Sequence, residues 1–297
     1  YLPPCGDVPI GTLVDDAANI LRTRDPARPL FLYLQPVDPH GPYQAPLRYV
    51  PAHGAGFTRR DYVSYWALKT GVTVTPRQRD GLLALYDGAI TYTDAEVGRL
   101  FDELKERGLF DDALIIITAD HGEQFYDHGL WRHSNSLYQS LLHVPLIVKY
   151  PHQKTGLLVP DPVATFDIVP TALQVIGQTC AACEGRPLQE AGADKTRPLF
   201  AYLMEREAPR PRMRSVVADG WKLIRQQKDG VAREELYNLE LDPDEVHDQH
   251  ARYARIAADL GELIDAYEAK AGPTAAPDAI TLQPAERERL RALGYVQ

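Results

Sequence analysis

One stretch narrows the possible folds more than any other. The run Ala113-Leu114-Ile115-Ile116-Ile117-Thr118 carries no polar/apolar alternation and breaks off directly into Ala119-Asp120-His121-Gly122-Glu123. A run that short, and apolar on both faces, predicts a strand buried inside a parallel sheet that is covered by helices on each side. The residues before it supply a helix. In Leu82–Gly108, the residues Leu82, Tyr86, Ile90, Val97, Leu100, Phe101 and Leu104 fall in helical phase, and the pattern stops at Gly108.

The same unit occurs earlier. Ile10, Leu13, Val14, Ala17, Ile20 and Leu21 predict an amphipathic helix over Ile10–Arg24, closed by Asp25-Pro26 and Arg28-Pro29. Leu30-Phe31-Leu32-Tyr33-Leu34 then reads as a second buried strand, running into Gln35-Pro36-Val37-Asp38-Pro39-His40-Gly41-Pro42-Tyr43. A shorter pass gives a helix over Ser136–Leu142 and a strand over Val144–Lys149. Asp167–Ile176 follows as a helix with Pro170 in its first turn and Gly177 at its end. Helices alternating with buried strands define an α/β fold. Beyond about residue 205 the texture changes. Arg214–Ala218, Trp221–Arg225 and Glu235–Asn238 predict short strands, the first two joined by an Asp219-Gly220 hairpin turn. Tyr253–Ala269 and Pro284–Leu293 predict helices, and the basic stretch Arg206–Arg214 reads as a solvated linker. The expected organisation is a main α/β domain over 1–205 and a smaller α+β subdomain over 206–297.

Charge and composition exclude other classes. With 32 basic against 41 acidic residues the net charge is −9, which argues against nucleic-acid binding driven by a basic face and leaves room for a local basic pocket. No apolar run approaches the roughly 18 residues of a membrane span. Three cysteines are too few for a disulfide scaffold. Cys180-Ala-Ala-Cys183 has no partner at zinc-site spacing, and it lies in a loop rather than at the helix N-terminus a redox pair needs. A local disulfide or two inert thiols are the favoured readings.

Ligands of open α/β sheets collect at the carboxyl ends of strands, so the two polar clusters are the candidate site. The carboxylate and imidazole of Asp120-His121 can both reach one cation where the backbone turns, and Gly122 supplies a turn. His128, His133 and His143 follow in the same region. The same tripeptide also serves as a plain turn with solvent-facing histidines, and spacing alone leaves both readings open. His40, between prolines in a loop, likewise reads as either a surface residue or a functional one.

Taken together, these segments resemble the sulfatase family of the alkaline phosphatase superfamily. The resemblance rests on "LFLYLQPVDPHGPY" from Leu30, "YDGAITYTDAEVGRLFDELKERGLFDDALIIITADHGE" from Tyr86, "YQSLLHVPLIVKY" from Tyr138 and "TFDIVPTALQVIG" from Thr165. It continues through "GWKLI" at Gly220, "ELYNLELDPDEVHD" at Glu235 and "LRALGYV" at Leu290. The fold it implies is the superfamily's α/β/α sandwich, incomplete at its N-terminus, with a smaller C-terminal α+β subdomain. Residue by residue, it implies Asp120 and His121 as metal ligands and His40 as the histidine touching the transferred group. It also implies that His133, twelve residues after His121, is a cationic side chain facing the substrate.

The family's Cys/Ser-x-Pro-x-Arg motif, whose first residue becomes formylglycine, does not occur here, nor does its upstream Asp-Asp pair at a strand end; Asp15-Asp16 fall inside the first predicted helix. Gln35 stands where relatives often carry His or Asn. The chain opens at Tyr1 and is expected to be the C-terminal part of a longer enzyme, with formylglycine upstream. The implied activity is hydrolysis of a sulfate ester of a small molecule or glycan, with a divalent cation. Calcium is expected for a sulfatase, and manganese or zinc for phosphoryl transfer. The alternatives are a phosphoryl or phosphonate ester hydrolase or a phosphoethanolamine transferase of the same superfamily, and a non-catalytic fragment or pseudoenzyme. Family habit alone suggests a periplasmic or extracellular setting.

Overall fold

The computed structural model describes residues 8–51, 65, 67–70, 72–190, 196–204, 212–228 and 231–271. They divide into two compact units, one ending at Asp111 and the other beginning at Asp112.

The first unit is built on two helices, α1 (Ile10–Thr23) and α2 (Pro76–Glu106). Helix α1 buries Ile10, Val14, Ala17 and Leu21, spaced along one face, against Leu100 of α2. Its first N–H, at Ile10, donates to Asp38 Oδ2 at 2.9 Å, so the loop after residue 34 caps the helix that precedes it. Helix α2 starts six residues before the expected Leu82, because Thr75 and Gln78 form a reciprocal capping box and Pro76 occupies the first turn. It ends before Gly108, whose φ of +67° leaves the helical region.

Leu30–Leu34 departs from expectation. Among the described residues it has no strand partner. Leu32 and Leu34 pack on the α1/α2 cluster, whereas Phe31 and Tyr33 are 87% and 71% exposed. Among the described residues only one face meets a covering layer, so the run alternates instead of burying both faces.

The second unit begins with β1 (Ile115–Thr118), which pairs with β4 (Leu146–Lys149). Their register, Ile115 opposite Lys149 and Thr118 opposite Leu146, is antiparallel, which corrects the parallel pairing expected from their apolar composition. Between them the chain forms a short hairpin, β2 (Gln124–Phe125) and β3 (Trp131–Arg132), and a single-turn helix α3 (Gln139–Leu142). Helix α4 (Ile168–Val175) follows, then a disulfide between Cys180 and Cys183.

A four-stranded antiparallel sheet closes the unit: β5 (Leu199–Leu203), β6 (Arg212–Ala218), β7 (Trp221–Lys228) and β8 (Val231–Asn238), adjacent in that order. Asp219 and Gly220, at φ +49° and +74°, make the expected tight turn between β6 and β7. The expected linker Arg206–Arg214 is strand from Arg212 onward, with Arg214 nearly buried in an ion pair to Glu268; its earlier part and Pro284–Leu293 lie outside the described residues.

The sheet's pleat separates two cores. Val216, Ala218, Leu223 and Leu236 face α5 (Ala254–Ala271), where Ala257, Leu260 and Ile264 cover them. Met213, Ile224 and Tyr237 face the other way, onto Leu137 just before α3. Lys222, on that second face, is fully buried and meets Glu245 at 2.7 Å. Glu245 also accepts the Gln139 N–H at the start of α3, and Lys222 Nζ donates to Gln139 Oε1 at 3.2 Å.

Replacing Lys222 by Met strands the Glu245 carboxylate away from water. We expect a loss of about 3–5 kcal/mol, measured as a lower urea midpoint by far-ultraviolet circular dichroism. Asp38→Ala removes the α1 cap, and we expect a smaller loss, about 0.5–2 kcal/mol by the same measurement.

Candidate active site

The chain leaves β1 at Thr118 and turns through Asp120, His121, Gly122 and Glu123. Gly122 is required here for close approach rather than for a left-handed φ. Its N–H donates to Leu141 O at 2.8 Å, and a Cβ on it would lie 2.1 Å from the Ser140 carbonyl oxygen. The turn is therefore laid backbone against backbone on α3, which is held in turn by Glu245. Asp120 Oδ1 accepts the His121 N–H at 3.0 Å and lies 3.8 Å from His121 Nε2. His121 Nδ1 sits 2.8 Å from Gly122 O. A carbonyl oxygen only accepts, so Nδ1 carries the proton and Nε2 of the neutral ring holds the lone pair.

His133 reaches the same place through the β2/β3 hairpin. Gln124 pairs with Arg132 and Phe125 with Trp131, so the next pair outward along the ladder is Glu123 and His133. Their side chains meet, His133 Nδ1 to Glu123 Oε1 at 3.1 Å, with the carboxylate side chain only 4% exposed. The His133 ring stacks on His121 with centroids 4.2 Å apart. Asp120, His121, Glu123 and His133 thus form one cluster at the carboxyl end of β1. Among the described residues no group of three or more His, Cys, Asp or Glu side chains is arranged to hold a metal ion.

The other two histidines stand elsewhere. His143 is exposed beyond α3, and His128, at φ +52° in the hairpin loop, stacks on Tyr138 at 3.6 Å. Tyr138 and Tyr237 both donate to Glu235 Oε2, at 2.7 and 3.0 Å. Burial, together with that carboxylate, pushes both phenols well above their ordinary pKa, so they remain neutral donors at physiological pH.

His40 lies in the first unit, in a tight loop. Its Nδ1 faces Gly41 O at 2.8 Å, the same His-Gly arrangement as His121, and again leaves Nε2 as the acceptor. A Cβ on Gly41 would fall 2.1 Å from the Tyr65 ring, which also packs edge-to-face against buried Tyr43. Of the residues singled out from sequence, the structure brings Asp120, His121 and His133 together. Glu123 was not assigned a role from sequence. The signal for it was the hairpin itself, since Glu123 and His133 lie symmetrically about His128.

Comparison with known proteins identifies the family. Residues 3–178 match the family model Sulfatase, and residues 126–270 match N-sulphoglucosamine sulphohydrolase, C-terminal. The first match covers more than half of the chain, which therefore belongs to the sulfatase family. Among curated relatives, the multifunctional alkaline phosphatase superfamily protein PehA of Trinickia caryophylli is 32% identical over 201 residues, covering 58% of this chain and 39% of that protein. An arylsulfatase of Clostridium perfringens is 26% identical over 182 residues, covering 56% of this chain and 37% of that enzyme. The chain thus spans less than two fifths of either relative within the aligned region. A structure solved in complex with its substrate, D-glucosamine-2-N,6-O-disulfate, superposes with a TM-score of 0.71 at 18% identity, covering 92% of this chain and 72% of that one. That likeness shows the fold, an arrangement of helices and sheet shared with that structure.

Because the atom facing Gly122 is a backbone carbonyl, a side chain there cannot be accommodated by a rotamer change. We expect Gly122→Ala to cost at least about 1–3 kcal/mol and to shift the imidazole resonances of both His121 and His133, read by thermal melting and by NMR.

Proposed function

We propose that this chain supplies part of a metal-dependent site that hydrolyses a sulfate ester of a small molecule or glycan, within a larger protein of the sulfatase family. The observation that carries the reading is the convergence of Asp120, His121 and His133 at the end of β1, with His121 Nε2 available as a ligand atom beside Asp120 Oδ1. One carboxylate oxygen and one imidazole nitrogen suit two positions in the shell of a divalent cation. Calcium follows from the sulfatase resemblance, and manganese or zinc would accompany phosphoryl transfer. Such a cation supplies neutralisation of the charge on the ester's non-bridging oxygens.

His133 is the proton-handling group in this reading. With Glu123 accepting from Nδ1, the ring is held in place, and Nε2 is the atom assigned to exchange a proton with the departing oxygen. His40 is assigned contact with the transferred group, with Nε2 as its working atom. No Cys-x-Pro-x-Arg or Ser-x-Pro-x-Arg run occurs in the 297 residues, so no residue here is assigned as formylglycine or as nucleophile. The sulfated-sugar substrate of the structural neighbour favours the glycan reading of the substrate.

The test is to express the complete coding region and assay 4-nitrophenyl sulfate against a phenyl phosphonate ester. We expect sulfate-ester hydrolysis that EDTA abolishes and added cation restores. His133→Gln should lower kcat about 10²–10⁴-fold with cation affinity unchanged, whereas His121→Gln should weaken the cation itself. Turnover insensitive to EDTA would overturn the reading, and preference for the phosphonate ester would move it to the phosphonate hydrolases. No turnover of either ester would leave the non-catalytic reading.

A further inference from the structure

Among the described residues, half of the non-glycine positions with a left-handed φ lie between 126 and 134. Two of them turn the chain: Tyr126, at +78°, and His128, at +52°, sit in the loop that joins β2 to β3. The other two have no such duty. Arg132, at +70°, and Ser134, at +64°, stand immediately before and after His133, where the chain has already reversed. Regular pairing of the hairpin stops at Gln124 and Arg132, one residue short of His133. The His133 ring is nevertheless placed on two sides, by Glu123 Oε1 at 3.1 Å and by the His121 ring, with centroids 4.2 Å apart.

We infer that the left-handed backbone at Ser134, together with that at Arg132, aims His133, which makes Ser134 a positioning residue; the inference rests on the proton-handling role proposed for His133. The two peptide planes that flank His133 set the direction in which its Cα–Cβ bond leaves the chain. Arg132 orients one of them relative to β3, and Ser134 orients the other relative to the run that leads to α3. The Ser134 side chain is exposed, so its contribution is made through the backbone rather than through packing. Glycine reaches the same φ with less strain, and a position that only had to turn would favour it. Glycine also leaves φ free to cross to negative values. Serine, confined to a narrow left-handed basin, keeps the turn and the direction of the ring together, and backbone strain of this kind collects where it has a use.

The experiment makes Ser134→Val, Ser134→Asn and Ser134→Gly in the 297-residue chain. It reads the nuclear Overhauser contact between the His121 and His133 rings, with circular dichroism and the melting temperature alongside. Ser134→Val should weaken the contact about fivefold or more with the dichroism kept, because a β-branched residue is the least tolerant of a left-handed φ. Ser134→Asn, which tolerates that φ, should keep the contact. Ser134→Gly should melt at or above the parent temperature and still weaken the contact about twofold, an opposition of stability and geometry that a merely structural turn would not produce. In the complete protein Ser134→Val should lower kcat about 10²-fold, as a misplacement of about 1 Å does, with KM and cation affinity unchanged. The inference is overturned if a folded Ser134→Val keeps the ring contact, if Ser134→Gly leaves it at parental strength, or if it is lost without a fall in kcat. Where Ser134→Val does not fold, the glycine variant decides alone. The ring contact is read without turnover, so its failure is distinct from failure of the sulfate-ester reading.

Discussion

The candidate site depends on one close contact between two pieces of backbone. The turn after β1 rests on α3 so tightly that the Ser140 carbonyl occupies the space a Cβ on residue 122 would need. A single-turn helix has too few internal hydrogen bonds to hold itself in place. Its start is fixed instead from the sheet, where Lys222 and Glu245 form a buried ion pair around Gln139. A chain of contacts thus runs from β7 through α3 to Gly122, and from there to Asp120 and His121. Only its first link is electrostatic; the last is steric, which is why a methyl group should be felt at Gly122.

The acidic character of the chain, −9 overall, makes the handling of buried carboxylates the second constraint. Three acids in this region are buried with donors around them. Glu245 has an ammonium and a backbone N–H, Glu235 has two phenols and Arg233, and Glu123 has an imidazole. Burial of a charge without such partners would cost several kcal/mol. Under the proposed function Glu123 would also have a chemical use, because its partner His133 is the proposed proton-handling group. The two His-Gly turns use a related device, each spending Nδ1 on the following carbonyl so that Nε2 is left as the acceptor.

Much of the fold was legible because it depends on local pattern. Val14, Ala17 and Leu21 mark the buried face of α1, the Asp219-Gly220 turn marks the β6/β7 hairpin, and the periodicity from Leu82 marks α2. Leu30–Leu34 was not legible in the same way. Composition says that a segment is apolar, but whether both faces are covered depends on which layers lie against it, and here Phe31 and Tyr33 are exposed. The direction of pairing between β1 and β4 was likewise out of reach, since the same isoleucines and valines serve either ladder.

Of the candidate site, spacing marked two polar clusters at strand ends and left their use open, and it was the family resemblance that singled out His40, Asp120, His121 and His133. Sequence determined the residue types, the helices, the hairpin turn and the membership of a known family, all of which are encoded by spacing along the chain. Only the tertiary structure decided that Glu123 faces His133 and that Gly122 serves close packing rather than a strained turn. Those outcomes rest on which distant backbones approach within a few ångströms, and no local pattern of side chains specifies that.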